Sequence, residues 1–190
     1  MGEIYLKFNP FAQKDITNWL TEQGIEVVPP LLTDFFLQSF VNTMVNRDNL
    51  LESEGLPRPL LKGIYALVWS KIQKANRICS AFRIFTPFES IFAKAEEAEQ
   101  VVSLYAQFGE GWLLPGEILS MAHQGVNHVV SLQPFGCIAN HIVARGIENR
   151  MKRLYPNLNL LSLDFDSGVS DVNLRNRILL FLDNILGVEA

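Results

Sequence analysis

Apolar residues recur along this chain at two different spacings, and the change between them outlines its organisation. Four short runs are almost continuously apolar or aromatic, which is typical of buried strands; they are residues 3–8, 25–28, 129–132 and 160–165. Between the first and second runs, and again between the third and fourth, apolar residues recur every three or four positions. This spacing predicts helices over residues 11–23 and 138–154. Strands that alternate with helices over short connections favour parallel pairing with a right-handed crossover.

The middle of the chain keeps the helical period throughout. From residue 33 to 108 apolar side chains follow helical spacing, and no strand-like run interrupts them. We therefore predict an α/β fold built on a small doubly wound parallel sheet of four strands in the order 2-1-3-4. Residues 33–108 would be a helical insertion or cap between strands two and three. In this order the ligand-binding crevice lies between the carboxyl ends of strands one and three.

Length and composition fit one globular domain spanning residues 1–190. Of its residues 48% are hydrophobic and 19% charged, and no apolar run approaches the ~18 residues of a membrane span. The net charge of −4 argues against a nucleic-acid surface. The first residues lack a signal-peptide pattern, and two distant cysteines indicate thiols, so we expect a cytoplasmic protein. The first predicted strand begins almost at residue 1, which suggests a part of a longer chain.

The candidate chemistry lies where the third predicted strand ends, in Gln133-Pro134-Phe135-Gly136-Cys137. Cys137 is predicted at or next to the first turn of a helix, where unpaired N–H groups favour a thiolate, so it is a candidate metal ligand or nucleophile. The alternative, weighed evenly, is a small buried residue under a tight turn. His141, four residues later, shares its helix face and could supply a second ligand. Structural zinc needs four ligands, and the remaining histidines and Cys79 offer no second pair.

One further segment, Asp164-Phe165-Asp166-Ser167-Gly168, begins like a calcium-binding loop. Its twelfth position is Arg175 instead of the bidentate glutamate that such loops need, so the calcium interpretation fails. A strand end that turns through Gly168 towards a helix capped by Ser170 explains the segment better. Asp164 and Asp166 are then expected to line the crevice.

Several segments together resemble one protein family. They are Gly2-Glu3-Ile4-Tyr5 with Phe8-Asn9-Pro10, Gly109-Glu110-Gly111-Trp112-Leu113-Leu114, the run from Gln133 to Ile142, and the segment from Asp164 to Gly168 with Asn173 and Arg177. The family is the CoA-substrate-specific enzyme activase-related proteins, in a region similar to the D-component of 2-hydroxyacyl-CoA dehydratases. The resemblance covers both ends of the chain well and the helical middle poorly. Its specific part is the Gln-Pro-Phe-Gly-Cys block.

The resemblance implies a cofactor and a site. Related dehydratases hold a [4Fe–4S] cluster on cysteine thiolates, so Cys137 would be a cluster ligand. Its loop would be shaped by neighbouring residues, namely Gln133, Pro134, Gly136, Asn140 and His141. Family members often carry a further cysteine shortly before the block, where this chain has Val130 and Ser131. Because a cubane normally takes four ligands, the others would come from further parts of a longer chain or from a partner.

Three functions follow as hypotheses. The first is a domain of an iron–sulfur activase-like or dehydratase-like system for acyl-CoA chemistry, which contributes a cluster ligand or an electron-transfer surface to a dehydratase or activase partner. The second is a binding or scaffold domain that has lost the cluster. The third is a mononuclear metal or small-molecule site at the strand switch point that uses Cys137 and His141. In each case the isolated chain is predicted not to be catalytic, and its oligomeric state stays open.

Overall fold

The computed structural model describes residues 1–49, 55–83 and 85–187. In that part of the chain helices dominate, and two strands form the sheet. In chain order the elements are α1 (Ile4–Phe8), α2 (Ile16–Glu22), α3 (Leu32–Asp48), α4 (Arg58–Cys79), α5 (Ile91–Glu99), α6 (Leu113–His123), β1 (His128–Pro134), the π-helix π1 (Ile138–Ala144), α7 (Glu148–Leu154), β2 (Asn159–Phe165) and α8 (Asp171–Leu186).

The sheet consists of two parallel strands, and one residue of the N-terminal segment pairs with the free edge of β1. β1 pairs with β2 in a register that places Leu132 opposite Leu163. Beside β1, Gly2 forms a single parallel bridge to Leu132. The Glu3 N–H donates to the Leu132 carbonyl at 3.1 Å, and the Leu132 N–H donates to the Met1 carbonyl at 3.0 Å. The N-terminal segment therefore touches the sheet at one residue and then leaves it.

The predicted four-stranded, doubly wound sheet in the order 2-1-3-4 is wrong. Among the described residues the sheet holds two strands, β1 and β2, which correspond to the third and fourth predicted runs. Residues 3–8 contain the helix α1 instead of a strand, and residues 25–28 belong to no regular element. The described part of the chain therefore forms no switch point between strands one and three.

Helix α1 forms because a distant carboxylate stabilises it. The N–H of Ile4, unpaired within so short a helix, donates to Glu110 Oε2 at 3.0 Å, and Lys7 Nζ donates to Glu110 Oε1 at 2.8 Å. One side chain therefore binds both the amino end and the last turn of a five-residue helix. Strand propensity is a local property, and here a contact across more than 100 residues overrides it.

The second predicted strand is lost as a consequence of the first. Once the chain turns into α1 at Ile4, the backbone beside β1 offers no extended edge with which residues 25–28 could pair. Ile25 and Val27 still pack their side chains against the core that contains Leu132. A cavity of about 380 Å³ lies between this segment, the start of β1 and the end of α8. The segment keeps the apolar contacts of a strand without its hydrogen bonds.

Three main clusters of buried side chains surround the sheet and the helices. One face of the sheet packs on α8, with Leu132, Leu163 and Ile178 at its centre. The opposite face packs on α6 and α7, where Val129 meets Ile118 and Met151. The third cluster joins α3, α5 and α6 around the fully buried indole of Trp112. The indole Nε1–H donates to Asn42 at 2.7 Å. Other members of this cluster include Leu37, Val41, Ile91, Ala95 and Leu113.

The middle of the chain is helical in the part that the structure describes. Residues 33–108, apart from 50–54 and 84, contain most of α3 together with α4 and α5, and no strand. Within residues 85–108, only Ile91–Glu99 form a helix, α5. Along α4 only Leu61 is buried, whereas Leu60 and Leu67 stay exposed. None of the described helices is long and apolar enough to cross a membrane.

Candidate site at the carboxyl edge of the sheet

The Gln-Pro-Phe-Gly-Cys block forms a tight turn at the carboxyl end of β1. The N–H of Phe135 donates to the Phe165 carbonyl at 2.9 Å, so the turn stays tied to the end of β2. Gly136 has a φ of +81°, a backbone conformation that glycine adopts without steric cost. The N–H of Cys137 then donates to the Pro134 carbonyl at 3.1 Å and closes the turn.

The turn leads into a π-helix of seven residues, π1. Such helices are rare and are often found at functional sites. Cys137 immediately precedes π1 and has an extended backbone, so it lies next to the first turn of a helix, as the pattern predicts, although that helix is a π-helix. The α-helix α7 begins only at Glu148, which divides the predicted helix 138–154 into two.

The thiol of Cys137 lies between two polar side chains. It donates to Glu3 Oε2 at 3.5 Å, and Asn140 Nδ2 donates to its Sγ at 3.1 Å. The residue is partly buried and packs against Leu114 and its neighbours on π1. Glu3 reaches this position because the bridge at Gly2 holds the chain beside β1. The sequence gives no local signal for the contact between Cys137 and Glu3.

Two carboxamides near the turn are almost completely buried. Asn140 is 0% exposed and Gln133 is 1% exposed, and the carbonyl oxygen of each lacks a hydrogen-bond partner. The Nε2 of Gln133 donates to Ser131 Oγ at 3.3 Å and to Ser162 Oγ at 3.4 Å, across the face of the sheet. Gln133 therefore belongs to the interior of the sheet, and Asn140 is the carboxamide that contacts the thiol.

His141 forms a separate cluster with the end of β2. Its Nδ1 accepts the Gly136 N–H at 3.0 Å, and its Nε2 lies 2.8 Å from Asp164 Oδ1. Arg145 donates to Asp164 Oδ2 at 3.2 Å. Because a backbone N–H can only donate, Nδ1 carries no proton and Nε2 is the donor to Asp164. Both ring nitrogens are thus engaged, and no hydrogen bond joins His141 to the Cys137 thiol.

A buried group of charged side chains lies beside this edge, and sequence reasoning missed it. Lys7 Nζ contacts Glu110 at 2.8 Å and Glu117 at 3.4 Å, with all three side chains almost fully buried. Burial alone lowers the pKa of Lys7, but the two carboxylates outweigh it and the net pKa is raised. Burial raises the pKa of Glu110, and it raises the pKa of Glu117 to about 7.

A second buried ion pair lies next to the first. Lys94 on α5 contacts Asp34 on α3 at 2.5 Å, and both act electrostatically on Glu117. In the sequence, Glu110 stands between two glycines in a segment that contributes to the family resemblance, and nothing there marks it as a buried charge. Nothing local marks Lys7 as a buried residue, because lysine is almost always exposed.

The residues present do not fit an iron–sulfur cluster held by this chain alone. Cys137 brings one sulfur to the edge of the sheet, while Cys79 ends α4, and both are free thiols. Within residues 1–49, 55–83 and 85–187, no three His, Cys, Asp or Glu side chains are grouped to hold a metal ion. A cubane normally requires four ligands, usually all cysteine. We therefore derive no chemistry through a cluster.

A groove of about 510 Å³ opens beside the turn, between β2 and α8. Asp164 and Asp166 line it together with Arg177, but this groove is not the crevice between strands one and three that the sequence predicts. Phe135 and Leu180 form apolar parts of its wall and are largely exposed. The groove therefore combines charged and apolar groups next to the turn that carries Cys137.

No family model, curated protein or solved structure matches this chain. The resemblance to activase-related proteins therefore stays a prediction.

Proposed function

We propose that this chain is a non-catalytic binding domain of a system resembling the 2-hydroxyacyl-CoA dehydratases and their activases. Its docking surface is the carboxyl-edge patch, which we define as Phe135, Ile138 and Ile142. The observation that carries the proposal is the exposure of these side chains, 73%, 52% and 68% respectively. The partner is a dehydratase-type or activase-type subunit, or a further domain of a longer chain.

The arrangement of the patch supports binding. Ile138 and Ile142 are four residues apart on π1, where side chains project to neighbouring positions, and Phe135 lies in the turn before it. The ring of Phe135 packs edge-on against His141 at 5.8 Å, which anchors the patch to the cluster at the end of β2. Adjacent exposed apolar side chains with a polar rim are typical of protein interaction sites. Asp164 and Arg145 provide that rim.

The polar groups at the same edge support binding over catalysis. Both ring nitrogens of His141 are occupied by Gly136 and Asp164, so the imidazole is not available as a base for Cys137. A nucleophilic thiol is normally paired with a base that a third group orients, and among the described residues no third group holds the carboxylate of Glu3, which accepts the thiol's hydrogen bond. The hydrogen bonds of this edge hold the turn and π1 in place.

The test uses two surface variants of the full chain in its native cells. Ile138→Asp with Ile142→Asp puts two charges on the patch, whereas the matched control Leu67→Asp changes an exposed leucine on α4. We expect the wild type and the control to co-elute with a dehydratase-type or activase-type subunit, identified by mass spectrometry, and the double variant to elute alone. A wild type without such a partner, or a double variant that keeps it, contradicts the proposal.

A second candidate is a cluster ligand completed by that partner, and one observation favours it. Cys137 is partly exposed, and its sulfur accepts a hydrogen bond from Asn140 instead of packing in a purely apolar pocket. Reconstitution of the partner complex with iron and sulfide separates the two candidates. If Cys137→Ser lowers the cluster content of the complex, Cys137 is a ligand; if the content is unchanged, the domain only binds.

We also propose that the protein resides in the cytoplasm. Both cysteines are free thiols, and reducing compartments keep thiols unpaired. Cell fractionation with a compartment marker tests this proposal, and recovery with a secreted or periplasmic marker contradicts it.

A further inference from the structure

Helix α4 presents apolar side chains to solvent along its length. We define its outer face by four of them, which are between 37% and 62% exposed, namely Leu60, Ile64, Leu67 and Ile78. Their spacing follows the helical period, so they lie on one side of the helix. Leu56 before the helix and Phe82 after it are exposed as well. No described residue covers this outer face.

The opposite side of α4 attaches the helix to the rest of the protein. Leu61 is buried there, and Tyr65, Val68 and Ile72 pack against the cluster around Trp112. A helix on the surface of a globular protein normally needs only one such apolar stripe. The outer face is therefore a second stripe, which the folding of the described residues does not use.

The charge on α4 is as unevenly distributed as its apolar residues. Its 22 residues include five basic residues and no acidic one, although acidic residues outnumber basic ones in the whole chain by 20 to 16. The basic residues, all exposed, are Arg58, Lys62, Lys71, Lys74 and Arg77. Arg58 pairs with Asp48, whereas the other four form no ion pair with a described residue. The net charge of −4 thus conceals a strongly positive helix.

The position of one lysine indicates which kind of surface the outer face fits. Lys71 follows Leu67 by four residues and precedes Ile78 by seven, so it lies within the outer face. In the centre of a protein–protein interface its ammonium would be buried, which is costly without a matched carboxylate. At a bilayer surface the apolar stem of a lysine lies along the acyl chains while its ammonium reaches the head groups. The pattern therefore favours a lipid surface.

We propose that the outer face of α4 binds the surface of an anionic lipid bilayer. The helix lies parallel to the bilayer, because its inner side stays packed on the protein. Its exposed apolar side chains enter the boundary between head groups and acyl chains, and its basic side chains attract the lipid phosphates. The surface is distinct from the carboxyl-edge patch, so the inference goes beyond the proposed binding function and does not depend on it.

The test is co-sedimentation of the intact chain with vesicles of phosphatidylcholine and phosphatidylglycerol in equal amounts. We expect the wild type to sediment with these vesicles, to stay in solution with pure phosphatidylcholine vesicles, and to be released as salt screens the charges. Leu67→Asp should weaken binding by about tenfold or more, because it puts a like charge into the apolar contact. Lys71→Gln with Lys74→Gln should weaken it by about tenfold or more, because two phosphate contacts are lost.

Matched controls restrict the result to α4. Arg153→Gln with Arg175→Gln makes the same change in net charge at two exposed positions elsewhere, and Leu180→Asp changes a similarly exposed leucine on α8. Both controls should bind vesicles as the wild type does, and so should Ile138→Asp with Ile142→Asp. All these side chains are partly or largely exposed, and an unchanged thermal unfolding midpoint verifies that each variant is folded.

Several results would overturn the inference. They are a wild type that does not sediment with the anionic vesicles, equal binding to pure phosphatidylcholine, and α4 variants that bind no more weakly than the controls. Binding of the wild type to soluble polyglutamate but not to vesicles would assign the outer face to an acidic protein partner instead. Leu67→Asp should lose the vesicles and keep the partner of the carboxyl-edge patch, so failure of one surface is distinguishable from failure of the other.

Discussion

Residues 1–31 and residues 128–165 carry the same sequence pattern and fold differently. Each contains two apolar runs separated by a helical stretch, the pattern of a β-α-β unit. In the second region the runs become β1 and β2, paired in parallel along seven residues. In the first region one run becomes α1, the other has no regular structure, and a single bridge at Gly2 reaches the sheet.

The difference lies in what each region meets when it packs. β1 and β2 meet each other, and their apolar side chains meet α6, α7 and α8 on the two faces. The N-terminal run instead contains Lys7, which pairs with two buried carboxylates, and an N–H at Ile4 that binds one of them. A buried charge therefore decides the structure of residues 1–31, whereas apolar packing decides the structure of residues 128–165. The predictions below test this contrast.

The largest effect should come from removal of the buried cation. Lys7→Met leaves Glu110 and Glu117 without their positive partner, so we expect a loss of about 3–5 kcal/mol in the free energy of unfolding at pH 7. Chemical denaturation measures it. Lys14→Met is the control, because the pair of Lys14 with Asp171 is exposed and contributes about 0–1 kcal/mol. Equal effects of the two substitutions would refute the special role of the buried charge.

The second effect is a pH dependence. Burial raises the pKa of Glu117 from 4.5 to about 7, so between these values the folded protein keeps a proton that the unfolded chain has lost. The contribution of Glu117 to the free energy of unfolding therefore falls by about 3 kcal/mol as pH rises from 4.5 to 7. Glu117→Gln cannot titrate and lacks this fall. Denaturation curves at several pH values give the free energy of unfolding of each protein as a function of pH. The profiles of wild type and variant should converge or cross, and parallel profiles would contradict the account.

The third effect concerns the bridge. Gly2→Ala places a Cβ against the Leu132 carbonyl and should cost about 2–3 kcal/mol, because the N-terminal segment must move away from β1. Gly24 also has a positive φ, but no atom lies within 4 Å of an added Cβ. Gly24→Ala should therefore cost only about 1 kcal/mol. Thermal unfolding compares the two, and a cost for Gly2→Ala no larger than the control's would mean that the bridge is dispensable.

The smallest effect belongs to the C-terminal region. His141→Ala removes hydrogen bonds to Gly136 and Asp164 at the partly exposed edge, so we expect a loss of about 1 kcal/mol. His123 lies largely exposed beside Glu97, and His123→Ala should change stability by less than about 0.5 kcal/mol. Urea unfolding resolves this difference. A cost above that of Lys7→Met would reverse the contrast between the two regions.

Sequence reasoning succeeds here where structure is decided locally or by neighbouring elements. The strands β1 and β2 and the Ser170 cap of α8 follow from short apolar runs and one capping residue. Sequence reasoning fails for α1, because Glu110, which binds Ile4 and Lys7, lies more than 100 residues away along the chain. With α1 wrongly taken as a strand, the four-stranded sheet and its switch point had to be wrong as well.

The candidate site shows the same division. Cys137 at the end of a strand is visible in the sequence, and so is the proximity of His141 along the chain. The partners that the thiol has are Asn140 and Glu3, and Glu3 is brought in by the bridge at Gly2. Spacing along a helix placed His141 beside Cys137, but the π-helical backbone and Asp164 direct the imidazole elsewhere.

The central claim is that the carboxyl edge binds a partner and holds no iron–sulfur cluster of its own. Anaerobic reconstitution of the intact chain with iron and sulfide tests it most directly, with iron, sulfide and absorption measured for the wild type and Cys137→Ser. We predict identical spectra without cluster absorption and far less than one cluster per chain. About four iron and four sulfide ions per wild-type chain, lost in Cys137→Ser, would contradict the claim.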